Sequence, residues 1–184
     1  LGWELHHPIE YQNQIFDALI SAGADLDLKP FGIRAMDSMR LEKSYRMVGT
    51  ELSIEYSAYE SAMDRFVKPN KGEFLGRDAL IASKESGLPN LLITLEVHNV
   101  DDADALGNNA LLKDGEVVGR ATSGGFGFRV NKSLAMGMVK PEIATPGNKL
   151  DIEILGKLYK ATILTESPFD PKNERLGDIN GANE

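Results

Sequence analysis

The spacing of apolar residues changes along the chain, and each change predicts a different kind of element. The first six residues alternate between apolar and polar side chains, which predicts a β-strand over 1–6 with Glu4 on its polar face. From residue 8 the apolar positions recur at spacings close to 3.6, which predicts an amphipathic helix over 8–22. Gly23 then stands where helices commonly end.

A second helix is predicted over residues 31–43, and its pattern is unusual. Apolar side chains surround most of it, as in a buried helix, yet Arg34, Asp37 and Arg40 lie three residues apart, close enough to pair. A buried charge is costly unless it is paired or meets a ligand. This helix therefore either carries an internal ladder of salt bridges or presents Arg34 to a pocket.

The second half of the chain changes from helical spacing to short strands. A short helix near 58–66 and a surface helix over 76–86 precede a break at 87–90, where Gly and Pro interrupt the pattern. Short apolar runs separated by Gly, Pro and Asp-Gly turns then predict a small antiparallel barrel or sandwich. The strands are predicted at 91–97, 111–113, 116–119, 133–139, 149–154 and 158–164.

These elements together predict an α+β protein, in which an α/β segment is followed by a small antiparallel β-barrel. We place the first domain at 1–88, the barrel domain at 89–170 and a polar tail at 171–184.

Composition and charge exclude several classes of function. The formal net charge of −8 gives no general surface for phosphate contacts, so nucleic acid is not expected as a partner. The chain has no cysteine, which excludes disulfides and thiol nucleophiles. The adjacent His6 and His7 would point to opposite faces of a strand, so no metal site is expected. No apolar run reaches the length of a membrane span, and no membrane partner is expected.

The sequence offers few groups for chemistry. We find no nucleophilic triad, because no partner is evident for His98, and we assign no catalytic residue. The glycine-rich residues 122–127 lack the ending of a phosphate-binding loop, which favours a tight turn or bulge between strands. The Glu4 carboxylate could bind a ligand, because it can accept two hydrogen bonds from an amino-pyrimidine edge. The alternative is an exposed carboxylate on a strand without a ligand. The Arg34 fork fits a planar carbonyl or carboxylate, or an ion pair within its helix.

Several segments resemble the glycine-cleavage T-protein (aminomethyltransferase) superfamily, in the family's order. The opening Leu-Gly-Trp-Glu-Leu resembles the end of its Gly-Glu-x-Gly-x-Glu strand, and residues 32–43 (Gly-Ile-Arg-Ala-Met-Asp-Ser-Met-Arg-Leu-Glu-Lys) resemble its conserved helix. Residues 74–80 resemble its Phe-Ile-Gly-Arg-Asp-Ala-Leu segment, and residues 122–127 with 132–137 resemble its C-terminal barrel. The amino-acid sequence of these segments is most similar to that of the folate domains of dimethylglycine and sarcosine dehydrogenases.

The resemblance implies a cofactor and two binding residues. Members bind tetrahydrofolate and collect a one-carbon unit from an amine-derived donor. The family glutamate that holds the pterin matches Glu4, and an arginine on the folate-contacting helix is assigned to Arg34, although T-proteins often carry theirs at the position of Met36. The family's catalytic aspartate lies upstream of the Glu4 strand and outside this sequence, so this chain is expected to be an inactive fragment on its own.

The implied function is tetrahydrofolate-dependent aminomethyl or methylene transfer in glycine, sarcosine or dimethylglycine metabolism. Residues 1–88 would then be the C-terminal part of the folate-binding domain. The alternatives are a non-catalytic folate-binding or subunit-interaction module of a dehydrogenase complex, and a relative of methyl-sulfur demethylases. Expected partners are folate, a small amine-derived donor, and a dehydrogenase or lipoyl carrier. The expected location is the cytoplasm, or the mitochondrial matrix in a eukaryote.

Overall fold

The computed structural model describes residues 3–177. The described chain divides into two compact units. One contains the residues up to Met36 together with those from Asn173 onward, and the other is Asp37–Lys172. The α-helices are α1 (Gln12–Ala22), α2 (Ile33–Glu42), α3 (Arg77–Glu85) and α4 (Glu174–Gly177), and 3-10 turns cover Ile9–Tyr11, Ala24–Leu26, Asp64–Phe66 and Pro69–Lys71.

The first unit is helical, and the predicted opening strand is not formed in it. The 3-10 turn leads directly into α1, and the N–H of Gly23 closes the helix with a hydrogen bond of 2.9 Å to the carbonyl of Leu19. Residues 3–8 have no regular secondary structure, and Trp3 is 87% exposed. A strand needs a neighbour for its backbone groups, and none of the described residues pairs with this segment. Leu1 and Gly2 lie outside the described residues.

Before its barrel, the second unit consists of the last turns of α2, a run of turns, and α3. The short helix predicted near 58–66 is replaced by turns that end in the 3-10 turn Asp64–Phe66. The surface helix predicted over 76–86 is confirmed as α3, and its N-terminal neighbour Gly76 has a left-handed φ of +84°.

A closed six-stranded antiparallel barrel forms the rest of the second unit, as the sequence predicts. Its strands are β1 (Leu91–Val97), β2 (Ala110–Lys113), β3 (Glu116–Gly127), β4 (Lys132–Val139), β5 (Lys149–Ile154) and β6 (Lys157–Ile163). They are hydrogen-bonded in the closed order β1-β4-β3-β2-β5-β6. Alternate side chains point inward, and the core includes Leu95, Leu111, Leu150, Ile152 and Ile163.

Strand β3 is longer than the sequence suggests. The glycine-rich residues 122–127 lie within it, and residues 123–127 pair with β4. Of the predicted turn or bulge, the bulge is the one that forms, as a shift of register between Ala121 and Ser123. Gly119 precedes this stretch on the same strand, and a Cβ there would lie 2.1 Å from the carbonyl oxygen of Met138 on β4. Glycine therefore allows the two backbones to approach.

Candidate functional site

Glu4 lies on an exposed, irregular segment. Its side chain is 89% exposed, and its Oε2 lies 3.5 Å from Nε2 of the His6 ring. It therefore projects from a segment without regular secondary structure rather than from a sheet. Because the residue is fully exposed, its substitution is not expected to affect packing.

Arg34 lies in the first turn of α2, and its side chain is exposed. Among the residues that the structure describes, none forms a hydrogen bond or ion pair with Arg34. Asp37 is instead the partner of Arg40, whose Nε donates to Oδ1 over 2.6 Å. The salt-bridge ladder predicted on this helix is thus a single pair, Asp37–Arg40. Among the described residues, no polar contact joins Arg34 to Glu4.

The most enclosed charged group is Glu51, which the sequence did not single out. Its side chain is fully buried. Oε1 accepts hydrogen bonds from Ser123 Oγ at 2.6 Å and Thr122 Oγ1 at 2.5 Å, both on β3. Oε2 accepts from the backbone N–H of Met47 at 2.9 Å and from Thr50 Oγ1 at 2.7 Å. This carboxylate therefore ties the loop at 47–51 to the barrel.

Arg40 brings α2 into the same cluster. Its Nη1 lies 3.6 Å from Glu51 Oε2 and donates to Ser123 Oγ at 2.9 Å. Two further side chains of α2 fasten it to the end of β3. Ser38 Oγ donates to the carbonyl of Phe126 at 2.7 Å, and the buried Glu42 carboxylate accepts from the N–H of Arg129 at 2.7 Å. The C-terminal half of α2 is consequently held in a fixed position on the barrel.

The hydrogen bonds to Glu51 decide its charge. Burial by itself would raise the pKa of this carboxyl, but the donors Ser123, Thr122, Met47 N–H and Thr50 outweigh it and hold the pKa below the ordinary 4.5. Donors aimed at a carboxylate favour its charged form. Glu51 is thus an anion at neutral pH and serves as a structural charge opposite Arg40.

This arrangement predicts a pH dependence of stability. The folded-state pKa of Glu51 is depressed, so its contribution is complete above the unfolded value of 4.5 and is lost as the pH falls through the lower folded value. We expect the difference in unfolding free energy between the native protein and Glu51→Gln to shrink between about pH 6 and about pH 3. Urea unfolding across this range measures it, and a difference that stays constant would contradict the assignment.

His98 has neighbours that its sequence context did not suggest. Its Nε2 lies 2.8 Å from Thr162 Oγ1, and its Nδ1 lies 3.8 Å from Glu96 Oε1. The second distance is too long for the hydrogen bond that would orient a catalytic base. Glu96 is instead paired with Lys132 at 2.6 Å. The group is therefore a set of polar contacts on the barrel surface and not a nucleophilic triad.

The described residues form neither a metal centre nor a membrane-spanning helix. No three His, Asp or Glu side chains there come together in a way that could hold a metal ion. In the same part of the chain, every helix is too short or too polar to cross a bilayer.

Comparison with known proteins supports the resemblance that the sequence motifs carry. The family model described as "GCVT N-terminal domain" matches residues 1–71, and the one described as "Glycine cleavage T-protein C-terminal barrel domain" matches residues 91–170. Human mitochondrial dimethylglycine dehydrogenase is 38% identical over 179 residues, which cover 96% of this chain and 21% of the relative. Aminomethyltransferase from Desulfitobacterium hafniense (strain DSM 10664 / DCB-2) is 34% identical over 163 residues, which cover 89% of this chain and 44% of the relative.

A solved structure shares the fold. The crystal structure of glycine cleavage system aminomethyltransferase T from Bartonella henselae superposes with a TM-score of 0.78 at 23% identity, over 89% of this chain and 45% of that one. This chain therefore spans between about a fifth and less than half the length of these relatives. With both family models matched in order along one sequence, the chain belongs to the glycine-cleavage T-protein superfamily.

Proposed function

We propose that this chain is the folate-binding C-terminal half of a tetrahydrofolate-dependent one-carbon transferase. The observation that carries the proposal is the ordered match to the N-terminal and barrel models of the family over residues 1–71 and 91–170. In this proposal the donor is a small amine-derived group, as the relatives' names aminomethyltransferase, dimethylglycine dehydrogenase and sarcosine dehydrogenase suggest. The proposed domains are 1–88 and 89–170, followed by a tail at 171–184.

A second candidate follows from the dehydrogenase relatives. This chain covers 21% of human dimethylglycine dehydrogenase and 20% of mouse sarcosine dehydrogenase, both named mitochondrial. The chain would then be a folate-binding module within a dehydrogenase, acting in the mitochondrial matrix if its source is a eukaryote. The length of the natural polypeptide separates the two candidates. About twice the present length favours a transferase, and a much longer, flavin-binding polypeptide favours the dehydrogenase.

Glu4 is the proposed anchor of the pterin ring. Replacing Glu4 with glutamine in the full-length protein is expected to weaken tetrahydrofolate binding by about 1–3 kcal/mol, because a charged acceptor of hydrogen bonds is lost. The melting temperature should stay unchanged, since the side chain is exposed. Calorimetric titration measures the effect, and the exposed Glu10→Gln is the matched control. An affinity equal to that of the native protein would reject this role.

Arg34 is the proposed second folate contact, and its exposed, unpaired position in the described structure supports a ligand role over a scaffold role. Replacing Arg34 with alanine should lower folate affinity at least about tenfold, the usual scale for a lost charge-assisted contact. Stability should change little. Arg40→Ala is the contrasting variant, because Arg40 pairs with Asp37 and lies beside Glu51, and it should lower the melting temperature. A large loss of stability in Arg34→Ala with folate affinity preserved would show a scaffold residue instead.

A further inference from the structure

A small polar pocket in the second unit is lined by neither of the residues assigned to folate. It is open, has a volume of about 290 Å³, and lies between the loop at 49–56, the turn at 107–108 and strand β3. Arg120 of β3 and Glu55 of the loop both line it, and their guanidinium and carboxylate are in direct contact. The pocket therefore contains one fixed positive and one fixed negative group at its wall.

The guanidinium is oriented by two other lining residues. Arg120 donates from Nε and Nη2 to the Tyr56 hydroxyl at 3.0 and 2.7 Å, and from Nη1 to Asn108 Oδ1 at 3.1 Å. Asn108 itself has a left-handed φ of +69°, and its N–H donates to the carbonyl of Ala121 at 2.8 Å. The hydrogen bond to Tyr56 and the neighbouring Glu55 raise the pKa of Arg120 above its usual value. The positive group is thus permanent and held in place.

Each of these groups keeps capacity for a further partner. Nη1 of Arg120 carries two N–H groups, of which one is donated to a described residue. The Tyr56 hydroxyl accepts two hydrogen bonds, and its own proton is donated to no described residue. Glu55 uses Oε2 for Arg120, and no described residue donates to its Oε1. The pocket wall thus offers two donors for a carboxylate and one carboxylate oxygen for a cation.

Charge balance selects the ligand class. A simple anion bound to Arg120 would meet the Glu55 carboxylate, and a simple cation bound to Glu55 would meet the guanidinium. A molecule that carries both charges compensates each group and leaves the net charge of the pocket unchanged. The volume of about 290 Å³ lies at the lower end of the range of small-molecule pockets, which favours a small ligand. We infer that this pocket binds a small zwitterionic amino acid, with its carboxylate on Arg120 and Tyr56 and its ammonium on Glu55.

Three small probes separate the charges, of which alanine and lactate have nearly the same shape. Alanine carries both groups, lactate keeps the carboxylate and replaces the ammonium by a hydroxyl, and isopropylamine keeps the ammonium alone. We expect alanine to bind with a dissociation constant in the millimolar range, and lactate and isopropylamine to bind at least about tenfold more weakly, since each leaves one charge uncompensated. Amide chemical shifts of the natural full-length protein at residues 49–56 and 107–122 report the binding.

Two variants test the roles of the charged groups. Arg120→Gln should weaken alanine binding at least about tenfold, and Glu55→Gln should reverse the preference so that lactate binds better than alanine. Lys160→Gln, which removes the contact of the exposed Lys160 with Asp151 elsewhere on the barrel, is the matched control and should leave binding unchanged. If Arg120→Gln does not fold, the reversal in Glu55→Gln still decides. Equal binding of alanine and lactate, binding of isopropylamine alone, or no binding of any probe would overturn the inference, the last meaning that the pair only fastens the loop to β3.

Discussion

Replacing Glu51 with leucine is expected to lower the free energy of unfolding by about 3–5 kcal/mol, the range for breaking a buried ion pair. The change removes the carboxylate that faces Arg40 at 3.6 Å and leaves the hydroxyls of Ser123 and Thr122 without their acceptor. Each buried donor left unsatisfied adds its own cost. Equilibrium unfolding in urea, followed by circular dichroism, measures the loss.

Two variants make this expectation specific to the buried network. Glu153→Gln alters an exposed carboxylate on β5 and should change stability by no more than about 0.5 kcal/mol. Arg40→Ala combined with Glu51→Leu should cost less than the sum of the two single changes, because the residues interact directly. Strictly additive losses would show that the 3.6 Å contact contributes nothing to stability.

Replacing Gly119 with alanine is expected to cost about 3 kcal/mol, the upper end for overpacking of a core. The new methyl group would lie 2.1 Å from the Met138 carbonyl oxygen and 2.9 Å from Cα of Val139. These obstacles are backbone atoms of a paired strand, so no rotamer change can relieve them. Strand β3 would have to separate from β4 at the Gly119–Val139 pair, where β4 ends.

Gly32→Ala is the control for this change. A Cβ at Gly32 would meet nothing within 4 Å, and its effect should stay within about 0.5 kcal/mol. Thermal unfolding of both variants and of the native protein gives the comparison. A Gly119→Ala protein as stable as the control would mean that the strands can separate locally at no cost.

The sequence predicted the barrel well because each of its strands has a local signal. The runs 91–97 and 149–154 are apolar, contain β-branched residues, and are bounded by Gly and Pro or followed by a tight turn. In the structure both are strands with the predicted first and last residues. The helices α1 and α3 were likewise predicted from spacing alone. Local periodicity was sufficient for these elements because each has several apolar residues at the spacing of its helix or strand.

The features that the sequence missed depend on distant partners. Glu51 stands in a segment without periodicity, and its partner Ser123 lies 72 positions away, so nothing local marks it as buried. The composition of the glycine-rich stretch predicts a tight turn or bulge, whereas pairing with the neighbouring β4 makes it a strand with a bulge at Ala121–Ser123. The alternation at residues 1–6 is the reverse case. Its local pattern predicts a strand, but no strand pairs with the described residues 3–6, and they do not form one. Pairing across the chain, rather than propensity, decides all three cases.

The order of strands around the barrel also sets the order in which it can assemble. Strands β2, β3 and β4 pair in sequence order as a three-stranded meander, and β5 and β6 form a hairpin. Strand β1 does not pair with its neighbour β2 but with β4 and β6, and β2 pairs with the distant β5. Joining such distant segments costs loop-closure entropy that local hairpins do not incur. We therefore expect the meander and the hairpin to form early, and their joining through the β2–β5 pairing and through β1 to be the slow step that closes the ring.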